Sequence, residues 1–187
     1  MKKHLLDYIK IYRNAIDENT RLESLKILEN VKWGGHQFYD VRKQESYYTE
    51  DDLMSYYNRI ETCPQLMDTT WKCLKQYVLE DMNFHWMAGW EDFNILKFNR
   101  YQPGGQLKDH CDHIRDIFDG NKKGIPILTV IGLFNDDFKG GEFVLCEDEV
   151  QDLRAGDVII FPSLFMYPHR VNKLVEGTRY SYATWAW

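Results

Sequence analysis

Apolar positions in the first part of the chain recur every three or four residues, the spacing that gathers them on one face of an α-helix. Leu5, Tyr8, Ile9, Tyr12 and Ile16 form one such series, Leu22, Leu25 and Leu28 a second, and Leu53, Tyr56, Tyr57 and Ile60 a third. A further helix is predicted from Met67 to Met82, with Trp71, Leu74, Val78 and Leu79 facing inward and Asp68 and Thr69 as cap candidates near its start.

The pattern changes near residue 90. From Asp92 onward the segments shorten, favour β-branched and aromatic residues, and are punctuated by Pro103-Gly104-Gly105, Gly140-Gly141, Ala155-Gly156 and Glu176-Gly177. Strands are predicted over 92–101, 107–112, 126–134, 142–147, 157–161, 169–175 and 178–187, about the number a β-sandwich or jelly roll requires. The chain therefore reads as an α+β single domain over 1–187, in which helices within 1–90 cover the outer face of a β-core formed by 91–187. The stretch from Trp33-Gly34-Gly35-His36-Gln37-Phe38-Tyr39 to Tyr47-Tyr48 reads either as a loop over a pocket or as a packed connection.

Composition narrows the function classes. The 187 residues carry 29 acidic against 23 basic side chains, a net charge of −6, which argues against a general polyanion binder and makes nucleic acid an unexpected partner. The longest apolar run, 125–134, contains Pro126 and Gly132. It is about half the length a membrane-spanning helix needs. The N-terminus meets Asp7 and Lys10 before any signal-like apolar stretch develops, so a cytoplasmic location is expected. Cys63, Cys73, Cys111 and Cys146 form no C-x-x-C pair, and the expectation is four reduced thiols rather than a zinc ribbon or a dithiol redox motif.

The chemistry is carried by His110, Asp112, His169 and Arg179. His110 and Asp112 stand two apart at the end of a predicted strand, where alternate side chains share a face, so an imidazole and a carboxylate can aim at one point. His169, which opens a later strand, is the natural third donor. His113 would point the opposite way in extended chain. Two histidines and one carboxylate occupy one face of an octahedron and leave three positions open, the arrangement of non-haem Fe(II) oxygenases. The spacing equally fits a metal-free alternative, in which His110 and Asp112 form a surface hydrogen bond and His169 caps a strand.

Alternation along Thr178 to Trp185 places Arg179, Ser181, Ala183 and Trp185 on one face. If that face is buried, an unpaired guanidinium there costs several kcal/mol, and no acidic residue is obviously placed to meet it. A carboxylate-bearing cosubstrate gripped by two parallel hydrogen bonds would do so; a surface arginine on an edge strand is the alternative. A flat hairpin turning at Glu176-Gly177 would leave Arg179 about 16 Å along the strand from His169, too far for a five-carbon diacid. Facing sheets about 10 Å apart would bring the two together.

The motifs Tyr101-x-Pro103-Gly104-x5-His110-x-Asp112, Gly140-Gly141-Glu142-Phe143, Gly156-Asp157-x3-Phe161-Pro162 and His169-x-Val171-x7-Arg179-x-Ser181 occur in this order. The sequence resembles the 2-oxoglutarate and Fe(II) dependent oxygenases, specifically the prolyl 4-hydroxylase-like branch. The resemblance implies a double-stranded β-helix (jelly roll, cupin-like) core and Fe(II), 2-oxoglutarate and O2 as cofactors, with ascorbate as a supporting reductant. It implies His110, Asp112 and His169 as iron ligands, and Arg179, assisted by Ser181, as the partner of the distal carboxylate of 2-oxoglutarate. Tyr101 would contact the cosubstrate, and Ala183 and Trp185 would border the substrate. Leu133 stands where some relatives carry a second tyrosine that reaches the distal carboxylate, a loss worth about 0.5–1.5 kcal/mol of cosubstrate binding. The implied reaction hydroxylates a C–H bond, most directly of a prolyl residue in a peptide or protein, with release of succinate and CO2. Hydroxylation of a free amino acid, another small molecule or a nucleobase, and a non-catalytic jelly-roll module that binds a metal or small acid, are the alternatives.

Overall fold

The computed structural model describes residues 4–40, 45–49, 52–84, 92–112 and 126–187. Its elements are β1 (Lys10–Tyr12), α1 (Glu18–Leu28), β2 (Gly34–Gly35), β3 (Gln37–Asp40), β4 (Glu45–Tyr48), β5 (Leu53–Tyr56) and α2 (Cys63–Gln76), which runs on as a π-helical turn over Tyr77–Met82. There follow β6 (Lys97–Tyr101), β7 (Leu107–His110), β8 (Leu128–Leu133), β9 (Lys139–Gly140), β10 (Phe143–Leu145), β11 (Glu149–Gln151), β12 (Val158–Pro162), β13 (His169–Val171), β14 (Leu174–Glu176) and β15 (Arg179–Ala186).

Two sheets form the body: a seven-stranded one in the order β1-β12-β8-β15-β6-β5-β2 and a four-stranded one in the order β11-β10-β13-β7. Their described ladders are antiparallel. This is the expected double-stranded β-helix, and the segment read as one strand over 169–175 divides so that β13 joins the small sheet while β14 pairs with β9. Arg179 and His169 therefore belong to facing sheets, not to one flat hairpin.

The large sheet is buried on both faces. Outward, Phe98, Val130, Val158, Ile160 and Tyr182 pack under Leu28, Leu66, Leu74 and Tyr77 of the helical layer. Inward, Tyr101, Ile159 and Phe161 meet Phe143, Leu145 and Val171 of the small sheet. A hydroxyl contact of 3.1 Å between Thr70 and Tyr182 ties α2 to β15 inside the outer core.

Two predicted helices are strands instead. The series Leu5 to Ile16 resolves into a 3-10 turn over Leu5–Tyr8 and edge strand β1, whose Lys10 pairs with Ile160. The series Leu53 to Ile60 contains β5, held between β2 and β6. The helix expected from Met67 begins earlier, at Cys63, with Thr62 as its N-cap residue. Asp68 lies within it and pairs with Lys72 at 2.7 Å on the outer face, so neither Asp68 nor Thr69 is its cap. Its buried positions are Cys63, Leu66, Thr70, Cys73 and Leu74, followed by Val78 in the π-helical turn, whereas Trp71 and Leu79 are 46% and 56% exposed.

Candidate active site

One cavity of about 440 Å³ opens between the sheets. Its lining includes eight residues singled out from the sequence: Tyr101, His110, Asp112, His169, Arg179, Ser181, Ala183 and Trp185. His113 lies outside the described residues.

The small sheet supplies the imidazoles. His169 pairs with His110 across β13 and β7, which brings the ring centroids to 4.2 Å. Asp112 follows in the turn after β7, and its two carboxylate oxygens lie 3.6 Å from His110 Nε2 and 3.5 Å from His169 Nε2. One ligand atom from each of the three residues falls within 4.8 Å of the others, so the group could hold a metal ion. The tautomers are fixed by the backbone: His110 Nδ1–H donates to the Lys108 carbonyl at 2.9 Å and His169 Nδ1–H to the Tyr167 carbonyl at 3.2 Å. Both Nε2 lone pairs are left facing the carboxylate, the presentation a metal requires. Burial pushes the His169 imidazole down to about 4, against the pull of Asp112, so it is neutral at physiological pH.

Asp112 is held from the large sheet. The Thr129 hydroxyl donates to Oδ2 at 2.7 Å, and the Ser163 hydroxyl lies 2.8 Å from Thr129. Since the Thr129 proton is committed to Asp112, Ser163 donates to Thr129. Burial acts to raise the Asp112 carboxyl, but His169, His110, Thr129 and the Trp185 indole together hold it below its ordinary value.

Arg179 is 2% exposed. Its Nη1 donates to Ser181 Oγ at 3.0 Å and its guanidinium carbon lies 5.2 Å from the Tyr101 ring centre, while Nε is buried without a hydrogen-bond partner. Among the described residues no carboxylate pairs with it. Burial lowers its pKa, and Tyr101 is the group acting against that shift. Burial in turn pushes the Tyr101 phenol up to about 12, so it remains a neutral donor. Leu133 pairs with Ser181 in the β8–β15 ladder and is buried there, presenting no polar atom.

Four contributors, Thr129, Lys97, Asn99 and His36, are not read from the sequence as site residues. Thr129 shares a face of β8 with Ile131, and Lys97 and Asn99 share one of β6 with Tyr101, so period-two parity with Tyr101 is the available signal for the latter two. His36, from the aromatic stretch, joins this wall: its Nδ1–H donates to Ser55 Oγ at 2.7 Å, and Ser55 donates to Asn99 Oδ1 at 2.9 Å. Gln37 and Phe38 line the cavity beside it, with Phe38 stacked on Tyr47 at 5.5 Å. Residues 41–44 of that stretch lie outside the described residues.

The cavity thus lies between the two sheets of a jelly roll, with a histidine–carboxylate–histidine cluster on one wall and, on the other, an arginine that no carboxylate among the described residues pairs with. Residues 96–187 match the model of the 2OG-Fe(II) oxygenase superfamily. Over that segment, the β-core, the chain is a 2-oxoglutarate-dependent oxygenase of this superfamily, and its fold is shared with the prolyl hydroxylases. The crystal structure of a Pseudomonas putida prolyl 4-hydroxylase superposes with a TM-score of 0.65 at 17% identity, over 96% of this chain and 91% of that one. The viral collagen prolyl hydroxylase of Paramecium bursaria Chlorella virus-1, in its 2-oxoglutarate complex, gives 0.65 at 14% identity over 96% and 94%. A Trichoplax adhaerens prolyl hydroxylase bound to a hypoxia-inducible-factor peptide gives 0.67 at 15% over 97% and 84%. Among curated proteins no sequence matches the chain. The family implies Fe(II) and 2-oxoglutarate, and no helix among the described residues is long and apolar enough to cross a membrane.

Proposed function

We propose that His110, Asp112 and His169 hold Fe(II), that Arg179 with Ser181 and Tyr101 binds the distal carboxylate of 2-oxoglutarate, and that Trp185 borders the substrate. The observation that carries this reading is the buried Arg179, which has no carboxylate partner among the described residues. A buried guanidinium left unpaired is costly, and an anionic ligand placed against it recovers that cost through parallel charge-assisted hydrogen bonds. The donor set suits ferrous iron: two neutral imidazole nitrogens and one carboxylate leave positions open for a chelating cosubstrate and O2.

Iron and cosubstrate, when bound, supply the oxidising chemistry: 2-oxoglutarate is converted to succinate and CO2 as one oxygen atom enters a substrate C–H bond. The chain's own contribution is positioning. Thr129 and Ser163 orient the Asp112 carboxylate, the Lys108 and Tyr167 carbonyls orient the imidazoles, and Arg179 fixes the cosubstrate's far end. Leu133 leaves that end one hydrogen bond poorer, so cosubstrate binding is weaker while its identity is retained.

A prolyl residue in a peptide or protein is the substrate that the structural likeness supports, since one of the similar structures holds a peptide. Residues 1–187 act as one domain in this reading, in the cytoplasm, where free Cys63, Cys73, Cys111 and Cys146 stay reduced, with ascorbate serving to restore ferrous iron. Anaerobic addition of Fe(II) and 2-oxoglutarate to the full chain tests the site: a weak visible metal-to-ligand charge-transfer band is expected. Well-folded protein without that band would overturn the assignment.

A further inference from the structure

The wall of the cavity carries a second cation that the reading above does not use. Lys97 shares the inward face of β6 with Asn99 and Tyr101, and it pairs with Ala183 where Tyr101 pairs with Arg179. Four residues of β15 therefore separate the levels of the two cations, about 13 Å of extended backbone. The Lys97 ammonium sits 4.9 Å from the Trp185 ring centre, and Trp185 pairs with Thr129, the residue that holds Asp112. Lys97 thus stands at the metal-binding end of the cavity, away from Arg179.

We infer that Lys97 receives a carboxylate of the substrate, so that the compound hydroxylated carries a free carboxylate close to the carbon that reacts; this rests on the oxygenase reading above. Charge balance is the first argument. The cavity lining brings two cations, Lys97 and Arg179, against one carboxylate, Asp112. A ferrous ion and a 2-oxoglutarate dianion cancel each other, which leaves one positive charge over. Arg179 meets the distal carboxylate and the metal meets the other end of the cosubstrate, so the surplus charge is that of Lys97. Among the described residues no acid forms an ion pair with it. Burial draws its pKa down to about 8, opposed only by Asp112, so it is still mostly protonated at neutral pH.

The indole supplies the second argument. The Lys97 ammonium lies over the Trp185 ring, 4.9 Å from its centre, while the buried indole N–H acts on the Asp112 carboxylate and helps to hold it below its ordinary value, so the ring keeps the cation at the metal-binding end. A cation held over an aromatic face at this end of the cavity suits a small anionic group of the substrate. His36 and Asn99 stand near Lys97 on this wall, and Lys97 is the one cation the described lining brings to this end, which matches the single charge of a carboxylate better than a phosphate dianion. An internal residue of a polypeptide presents an amide at this point. A free amino acid, or the last residue of a peptide, presents the carboxylate.

The test uses the full chain loaded anaerobically with Fe(II) and 2-oxoglutarate, titrated calorimetrically with a panel of the free amino acids, dipeptides ending in each of them, and the corresponding C-terminal amides. We expect at least one acid to bind about 10-fold or more tightly than its amide. Lys97→Met erases that preference, Lys97→Arg retains most of it, and 2-oxoglutarate affinity is unchanged in both variants. Circular dichroism checks that both variants are folded. Preference for the free acid or for the dipeptide identifies the source of the carboxylate. No acid binding across the panel, equal binding of acids and amides, or a Lys97→Met variant that loses 2-oxoglutarate affinity but keeps the preference would overturn the inference. The charge-transfer band separates the two readings. If the band forms and the preference is missing, only the role of Lys97 falls; if the band is missing, the metal and cosubstrate assignment falls with it.

Discussion

Arg179 is the residue whose environment makes the strongest demand. Folding buries its guanidinium against Tyr101 and Ser181 with no counter-charge among the described residues, so the ligand-free protein bears a desolvation cost that a bound dianion relieves. Replacing it with the similarly sized, neutral methionine is expected to raise the thermal midpoint of ligand-free protein and to abolish the further rise that 2-oxoglutarate gives wild type, measured by differential scanning fluorimetry. Arg179→Ala is expected to raise the 2-oxoglutarate requirement about 10- to 100-fold, the worth of a charge-assisted pair, with less effect on the maximal rate. Succinate release against 2-oxoglutarate concentration reads this directly. His169→Ala removes a proposed metal donor and is expected to lower succinate release more than about 100-fold at any cosubstrate concentration. At the same scale, burial depresses His36 from 6.5 to about 3. Between these values the unfolded chain binds a proton that the folded chain refuses, so stability is greatest above 6.5 and declines as the pH drops towards 3. Urea titrations of metal-free protein at several pH values should show this decline, and a shallower one in His36→Gln.

At the scale of elements, hydrophobic spacing misled in the first part of the chain, where strands buried on both faces lack the β-branched runs and glycine punctuation that mark β8, β12 and β15 as strands. Leu53 and Ser55 of β5 are buried on the cavity side while Met54 and Tyr56 pack into the outer core, so the run shows no two-residue alternation and its spacing imitates a helix. The N-terminal series behaves likewise, since Ile9 and Ile11 face the inner core and Tyr12 the outer one. In α2 the inward stripe includes Thr70 and Cys73, which a count of large apolar side chains passes over in favour of Trp71. The close fit of helix layer to sheet has a checkable consequence at Gly132. A Cβ built there would lie 2.1 Å from the Tyr182 ring, which is itself locked to Thr70. Gly132→Ala is expected to cost about 1–3 kcal/mol of stability by overpacking, read as a lowered urea midpoint, and a Tyr182→Leu change in the same background should recover part of it.

For the whole molecule, the two sheets contribute different halves of one site, so occupancy links them. The proposed metal donors His110 and His169 come from the small sheet, whereas Arg179, Ser181 and Tyr101, proposed to bind the cosubstrate, come from the large one. A ligand present at about 100 times its dissociation constant adds about 2.7 kcal/mol to folding stability. Stripping iron with a chelator in the presence of 2-oxoglutarate is therefore expected to lower the thermal midpoint by roughly 5 to 10 °C.

The sequence by itself determined the β grammar of the second half of the chain, the order of the His110, Asp112, His169 and Arg179 positions, and the shared strand face of Arg179, Ser181, Ala183 and Trp185, because side-chain alternation is a local property of extended backbone; Asp112, expected on the strand with His110, lies in the turn after it. The tertiary structure alone decided that β13 and β15 face each other across a cavity, that the apolar series at 5–16 and 53–60 would complete a sheet, and that Lys97 and His36 would join the site wall. Those outcomes depend on pairing between residues far apart in the chain and on which face of each strand is finally covered. Neither is written in the period of any single segment.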